Sequence, residues 1–189
     1  MNEAEEVPSI EGQLDELRDA VVADGLMLER GLRVRPNFRH LVFCDPGGVE
    51  AIAIARQVGE IYSNSGMLDH GNVREVHVSD LLGGNVQETE AKTRAVIAGA
   101  LGGVLYLRDP YALVSGTANN GFGLVVVNNL LVHMEIDAGR LVVIIAGVFE
   151  EIEKFLDHSD GLRPRFDRAI YLSPSKESTR RKERRARIG

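Results

Sequence analysis

The chain has 189 residues, of which 44% are hydrophobic and 26% charged, with a formal net charge of -6 and a pI near 5.4. This composition is typical of one soluble globular domain with a single sizeable core, and its acidity argues against nucleic-acid binding by the whole surface. The acidic start lacks the features of a signal peptide, and the longest apolar stretch, residues 124–132, is too short to span a bilayer. We therefore expect a cytoplasmic protein without membrane insertion.

Apolar periodicity predicts the order of the elements. A first helix covers residues 9–30, with Ser9 as its N-cap and Gly31 as its end. Strands are predicted at 40–44, 75–79, 103–107, 141–146 and 169–172, and further helices at 49–62, 88–101, 123–136 and 149–157. Strands that alternate with helices indicate an α/β fold in which a parallel sheet is covered on both faces.

The two ends of the chain differ in charge. We interpret residues 1–8 as an acidic, disordered leader, residues 9–173 as the α/β core, and residues 174–189 as a basic tail that is disordered in isolation. Nucleic acid, an acidic partner surface or the acidic first helix remain alternative contacts for this tail.

Three separate stretches carry a resemblance to a known family. Residues 29–43, 78–107 and 141–166 resemble, in the same order, the AAA+ ATPases of the CbxX/CfxQ type, which include the red-type rubisco activases and the cytosolic ATPase of type VII secretion. The resemblance runs from residue 12 to residue 172. It implies a three-layer P-loop NTPase core with a parallel five-stranded sheet flanked by helices.

The phosphate-binding loop of that family, GxxxxGK[ST], is degenerate in this chain. The matching positions after Cys44 are Asp45, Pro46, Gly47, Gly48, Val49, Glu50 and Ala51. Val49 replaces a glycine, and a β-branched residue resists the dihedral angles that aim backbone N–H groups at a phosphate. Glu50 replaces the lysine that reaches the β and γ oxygens, and Ala51 replaces the hydroxyl that holds magnesium.

The second catalytic motif, a strand that ends in Asp-Glu, is matched by Arg108 and Asp109. Arg108 replaces the magnesium carboxylate, while Asp109 keeps a shorter carboxylate at the water-activating position. Because the signs at Glu50 and Arg108 are exchanged relative to the family, we predict a direct or water-bridged ion pair between them. The alternative is that both side chains reach solvent independently.

The segment from Gly161 to Phe166 resembles the family's arginine-finger segment, and Arg165 matches the finger that acts on a neighbouring subunit's site. The alternative is that Arg163 and Arg165 make surface or loop ion pairs. Asn85 stands where the family's pore loop has an aromatic residue, which favours a solvated loop with no gripping role. The family has a helical lid after the last strand, but Ser173 leads here directly into the basic tail, so we expect no lid.

These features predict a catalytically inactive member of the family, a scaffold or regulatory subunit that assembles with itself or with an active AAA+ relative and donates Arg165 in trans. No cofactor is expected, with ATP and magnesium bound only if residual binding survives. No metal is assigned to His40, His77 or His133, which lack metal-ligand spacing. The alternatives are a weak ATP-binding or residual ATPase module of a remodelling or secretion machine, and a decaying paralogue.

Overall fold

The structure is a computed structural model that describes residues 8–31, 39–44, 49–116 and 121–172. The helices are α1 (Ile10–Glu29), α2 (Val49–Asn64), α3 (Val78–Leu81), α4 (Val86–Ala98), α5 (Gly123–Ile136) and α6 (Phe149–Asp157). The strands are β1 (His40–Cys44), β2 (Val73–Val76), β3 (Val104–Arg108), β4 (Val142–Gly147) and β5 (Phe166–Tyr171). Two short 3₁₀ helices, Pro110–Leu113 and Arg163–Arg165, follow β3 and precede β5.

The five strands form one sheet in the order β2-β3-β4-β1-β5, and every pairing is parallel. This confirms the predicted parallel five-stranded α/β fold. The three inner strands are almost entirely buried, as their continuous apolar sequences predict. In a parallel sheet all the carboxyl ends lie at one edge, so the residues that follow β1 and β3 belong to the same side of the molecule.

Helices cover both faces of the sheet. On one face α1 and α2 bury Leu17, Ala55 and Val58 against alternate residues of the strands, such as Phe43 and Tyr106. On the other face α4, α5 and α6 form the larger cluster of buried residues, with the intervening strand residues. Because side chains alternate across a strand, one apolar sequence supplies both layers of the core.

Two edge strands differ from the sequence prediction by more than one residue, whereas β3 and β4 are each shifted by a single residue. β2 spans Val73–Val76 because the next residues turn into α3, where His77 N–H donates to Asp80 Oδ2 at 2.8 Å and so starts a helix. β5 begins at Phe166, three residues before the predicted start, and of its six residues four are half-buried, one is exposed and one is buried. A pattern search for apolar runs underestimates strands that have one polar face.

Three predictions on chain organisation concern segments that lie largely outside the described residues. Residues 1–7 of the acidic leader and the basic tail at 174–189 are not described, and the core boundary at 9–173 remains a prediction. Among the described segments, no helix combines the length and the apolar character needed to cross a membrane.

Candidate functional site

The candidate site lies at the carboxyl edge of the sheet, where β1 leads into α2. In open α/β sheets, ligands bind in the crevice outside this edge, where the strand order reverses. The predicted loop positions Asp45, Pro46, Gly47 and Gly48 lie outside the described residues. The described part begins at Val49, the first residue of α2.

The first turn of α2 places the replaced loop residues. Glu50 is exposed in this turn, and Ala51 is buried at 2% exposure against the core. The amino end of a helix carries a partial positive charge and favours an anion. In this chain a carboxylate of the protein occupies the first turn, where a phosphate-binding helix presents a cation and a hydroxyl.

Arg108, at the end of β3, pairs with Glu75 of β2 instead of Glu50. Arg108 Nη1 lies 3.5 Å from Glu75 Oε1, and the two side chains are 34% and 39% exposed. Glu75 is in register with Tyr106, and Arg108 follows Tyr106 by two residues, so both charged side chains lie on the same face of adjacent strands. Among the described residues, the ion pair of Arg108 is with Glu75, so the direct form of the predicted Glu50–Arg108 pair is not observed, and the water-bridged form stays a prediction.

The strand order explains this result. β2 pairs directly with β3 and lies about 5 Å from it. β4 lies between β3 and β1, so β1, which leads into α2 and Glu50, is about 10 Å from β3. Glu75 is thus the nearer carboxylate for Arg108. Sequence reasoning missed Glu75 because the partner of a residue on a neighbouring strand depends on the register of the two strands. The position of Glu75 on a half-exposed strand was the signal that could have indicated it.

Asp109 has an unusual backbone. Its φ of 49° and ψ of 51° are left-handed, and it is the one non-glycine residue with a positive φ among the described residues. Its N–H donates to the carbonyl of Ala146 at 2.8 Å, and a Cβ built on Gly147 would lie 3.5 Å from Asp109 Oδ1. The backbone of Asp109 is thus held beside β4 at the carboxyl edge, and its match to the water-activating position stays a prediction.

The group that the resemblance implies at this edge is a magnesium triphosphate. That group needs a cation at the start of the helix and a metal-binding carboxylate at the end of β3. The chain supplies Glu50 and Arg108 at these positions, with the opposite charges. The residues present do not fit a magnesium triphosphate.

Arg165 lies at the other edge of the sheet. It immediately precedes β5, so it is at the amino edge, on the side away from the loop that follows β1. Its Nη1 donates to the carbonyl of Gly161 at 2.9 Å, and its Nη2 lies 2.7 Å from Glu135 Oε2 of α5. The Arg165 side chain is 17% exposed. Arg165 therefore cannot serve the site of its own chain, and it ties the loop before β5 to α5.

Arg163 is bound differently. Its guanidinium pairs with Glu153 at 3.2 Å and with Asp157 at 2.7 Å, both on α6, and it is 46% exposed. These hydrogen bonds, first to Glu153 and then to Asp157, raise the pKa of Arg163. Both arginines thus form the intramolecular ion pairs that the sequence left open as an alternative to the finger role.

His40 is the buried polar residue of the amino edge. Its Nδ1 accepts the Val143 N–H at 2.9 Å, and its ring packs edge-on against Phe166. Burial lowers the pKa of His40 to about 3, against the opposing effect of a hydrogen bond with the Met134 backbone, and the charge of Arg165 lowers it further. His40 is accordingly neutral at physiological pH and joins β1 to β4.

The other histidines lie in unrelated places. His77 precedes α3, and His133 contacts Asp137 at 2.8 Å within and just beyond α5. Within the ranges that the structure describes, no three histidine, cysteine, aspartate or glutamate side chains are grouped so that they could hold a metal ion.

The segment that matches the pore loop is tied to α4. Asn85 is the N-cap of α4, and its side chain accepts the Glu88 N–H at 2.8 Å. Gly83 N–H donates to the Thr89 hydroxyl at 2.9 Å, and Gly84 N–H donates to Glu88 Oε2 at 2.8 Å. The side chain at the family's aromatic position is therefore used to start a helix.

Comparison with known proteins places this geometry in context. No protein-family model matches the chain. It is 48% identical over 161 residues to the ESX-3 secretion system protein EccA3 of Mycobacterium leprae (strain TN), covering 85% of this chain and 25% of that protein. It is 34% identical over 161 residues to the ESX-1 secretion system protein EccA1 of Mycolicibacterium smegmatis (strain ATCC 700084 / mc(2)155), covering 83% of this chain and 28% of that protein. The chain thus spans about a quarter of the length of these relatives.

Solved structures agree on the fold. The FIGL-1 AAA domain in complex with ADP superposes with a TM-score of 0.60 at 20% identity, over 89% of this chain and 54% of that chain. The FIGL-1 AAA domain alone gives 0.59 at 19% identity, over 96% and 59%. The chain therefore has the fold of these AAA domains, and it is similar to part of the EccA proteins of ESX secretion systems.

Proposed function

We propose that this chain is a non-catalytic AAA+ module, a pseudo-ATPase of the CbxX/CfxQ type that holds neither ATP nor magnesium at its own site. Its role is that of a scaffold or regulatory subunit, which assembles with itself or with an active EccA-like relative in a type VII secretion setting. The observation that carries the proposal is the reversal of charge at the carboxyl edge, with Glu50 in the first turn of α2 and Arg108 at the end of β3.

The surroundings of these residues support a stable replacement of the site. Arg108 is engaged by Glu75, and Glu50 is favourably placed at the amino end of a helix. Each charge is therefore stabilised by its local surroundings without a bound nucleotide. A triphosphate would instead meet a carboxylate at the helix start, where the two negative charges repel.

A role for Arg165 in trans is consistent with its position. The amino edge of the sheet faces away from the chain's own candidate site, so this guanidinium can act only on another subunit. Arg165 is held by Glu135 and Gly161, and donation in trans requires the Glu135 contact to open. A phosphate of the neighbour's nucleotide carries two negative charges and would compete with Glu135 for the paired N–H donors of Arg165.

The test is to mix the full chain with an ATP-hydrolysing EccA3 relative and to measure complex formation and ATP turnover together. We expect a complex, and a turnover that changes with the amount of this chain added. Arg165→Ala should abolish the change in turnover, and Arg163→Ala is the matched control because its ion pairs lie on the exposed surface of α6. Absence of both binding and any change in turnover would refute the partner role.

A weak nucleotide-binding or residual ATPase module is the second candidate. One observation favours it: Asp109 keeps a carboxylate at the carboxyl edge in a strained backbone conformation, and such strain is concentrated at functional sites. ATP hydrolysis by the isolated chain that Asp109→Asn abolishes would select this candidate over the pseudo-ATPase.

A further inference from the structure

The first helix presents a continuous exposed stripe that faces solvent. The stripe consists of Glu11, Asp15, Asp19, Val22 and Leu26, all of which are exposed. These residues fall within about a quarter of the helix circumference at 3.6 residues per turn. The first half of the α1 stripe is acidic, and the second half is apolar.

The charges of the α1 stripe are only partly compensated. Asp15 contacts Arg18, whereas Asp19 has no ion-pair partner among the described residues. A groove of about 260 Å³ lies beside Val22, between α1 and α2; Glu60 adds another exposed carboxylate to its rim, and Arg18, which pairs with Asp15, is the one cation among its lining residues. Val22 and Leu26 are 49% and 48% exposed. The surface is therefore suited to a segment that carries several cations.

The end of the sheet delivers such a segment to the start of α1. The Gln13 side chain bonds to both backbone groups of Tyr171: its Nε2 donates to the carbonyl at 3.1 Å, and its Oε1 accepts the N–H at 2.9 Å. Leu172 follows as a buried residue of the same layer of the core. The chain therefore leaves the fold beside the first turns of α1.

Residues 173–189, which lie outside the described residues, have the complementary charge. Their 17 residues include seven that are basic and two that are acidic. The basic residues are Lys176, Arg180, Arg181, Lys182, Arg184, Arg185 and Arg187. An extended segment of this length reaches about 55 Å, whereas Val22 lies only about 14 Å along the helix from Gln13. The segment can therefore reach the whole stripe.

We infer that residues 173–189 dock along the α1 stripe, with their cations against Asp19 and Glu60 on either side of Val22. Exposed ion pairs are individually weak, but a tethered segment has an effective concentration in the millimolar range, so several pairs act together. The contact is screened by salt, because each pair remains near solvent. Docking covers the apolar end of the stripe and closes this face of the module to other partners.

A nitroxide on the full chain tests the contact. Ser178→Cys carries the label, and Cys44 stays unlabelled because it is buried at 7% exposure. We expect the label to broaden the amide signals of α1 and the groove-facing part of α2 selectively, and to leave those of α4, on the other face of the sheet, sharp. High salt should reverse the broadening.

Charge exchange makes the test specific. Asp19→Lys with Glu60→Lys should remove the broadening, and further addition of Arg181→Glu with Arg184→Glu should restore it. Glu150→Lys with Asp160→Lys is the matched control, since it makes the same change in net charge at exposed acids of the other face and should leave the broadening intact. Unselective broadening, equal effects of the two lysine pairs, or transfer of the broadening to an unlabelled chain in a mixture would overturn the inference, the last by assigning the stripe to a second copy.

Discussion

The two edges of the sheet use their polar residues in opposite ways. At the carboxyl edge, Glu50, Glu75 and Arg108 are partly or fully exposed, and their charges interact weakly. At the amino edge, His40 is 2% exposed and Arg165 17% exposed, and both join separate elements. These three exposed charges are thus free to change at little cost in stability, while His40 and Arg165 stabilise the amino edge.

The largest expected effect is the dependence of the free energy of unfolding on pH through His40. The pKa of His40 is lowered to about 3 in the folded chain, below its unfolded value of 6.5, so the unfolded chain binds the proton first as the pH falls. The stability that depends on neutral His40 is therefore fully present above the unfolded pKa. It is lost as the pH falls from 6.5 to about 3, at about 1.4 kcal/mol for each pH unit. Urea unfolding should show this extra slope in the native chain and not in His40→Gln.

His40→Gln can still accept the Val143 N–H through its amide oxygen, so the comparison isolates the proton. Parallel pH profiles for the two chains would show that His40 does not control acid unfolding.

Arg165→Met is the next test. It leaves the partly buried Gly161 carbonyl without this donor and removes the ion pair with the exposed Glu135 carboxylate, and we expect a loss of about 1–3 kcal/mol in the free energy of unfolding. Arg163→Met is the matched control, with an expected loss below about 1 kcal/mol because its ion pairs are exposed. Equal losses would mean that Arg165 has no special role in the amino edge.

Asp109→Gly tests strain at the carboxyl edge. Glycine adopts the left-handed conformation of this residue without a steric cost, so we expect a gain of about 0.5–1 kcal/mol in the free energy of unfolding. Asp160→Gly is the control, because Asp160 does not have a positive φ and the same change should give no gain. A loss of stability at Asp109 would show that its side chain contributes more to the fold than its backbone costs.

The smallest expected effect concerns Glu75 and Glu50 as alternative partners of Arg108. A double-mutant cycle between Glu75→Gln and Arg108→Gln should give a coupling energy of about 0.2–1 kcal/mol, as half-exposed pairs do. The cycle between Glu50→Gln and Arg108→Gln should give none, measured by the same urea titrations. A larger coupling for Glu50 would restore the ion pair that the strand order argues against.

The sequence predicted the elements whose patterns are complete within themselves. β4 could be located because its apolar residues form a continuous run. α2 could be located because its apolar residues recur with the period of a helix. The edge strand β5 was predicted too short, since its polar face interrupts the run. The residue types at Glu50 and Arg108 predict a loss of the nucleotide chemistry, and this loss stays a prediction.

The partners of these residues could not be read in the same way. Glu75 meets Arg108 through strand register, and Glu135 meets Arg165 across 30 residues of sequence. Both contacts depend on which elements are neighbours in space. A local pattern carries no information on that arrangement.

The central claim is that the exchanged charges at the carboxyl edge exclude a magnesium nucleotide. Calorimetric titration of the full chain with ATP and ADP, with and without magnesium, tests it most directly. The account predicts no binding heat at millimolar nucleotide for the native chain, and a gain of binding in the triple variant Glu50→Lys, Ala51→Thr, Arg108→Asp. Magnesium-dependent binding of ATP to the native chain would contradict it.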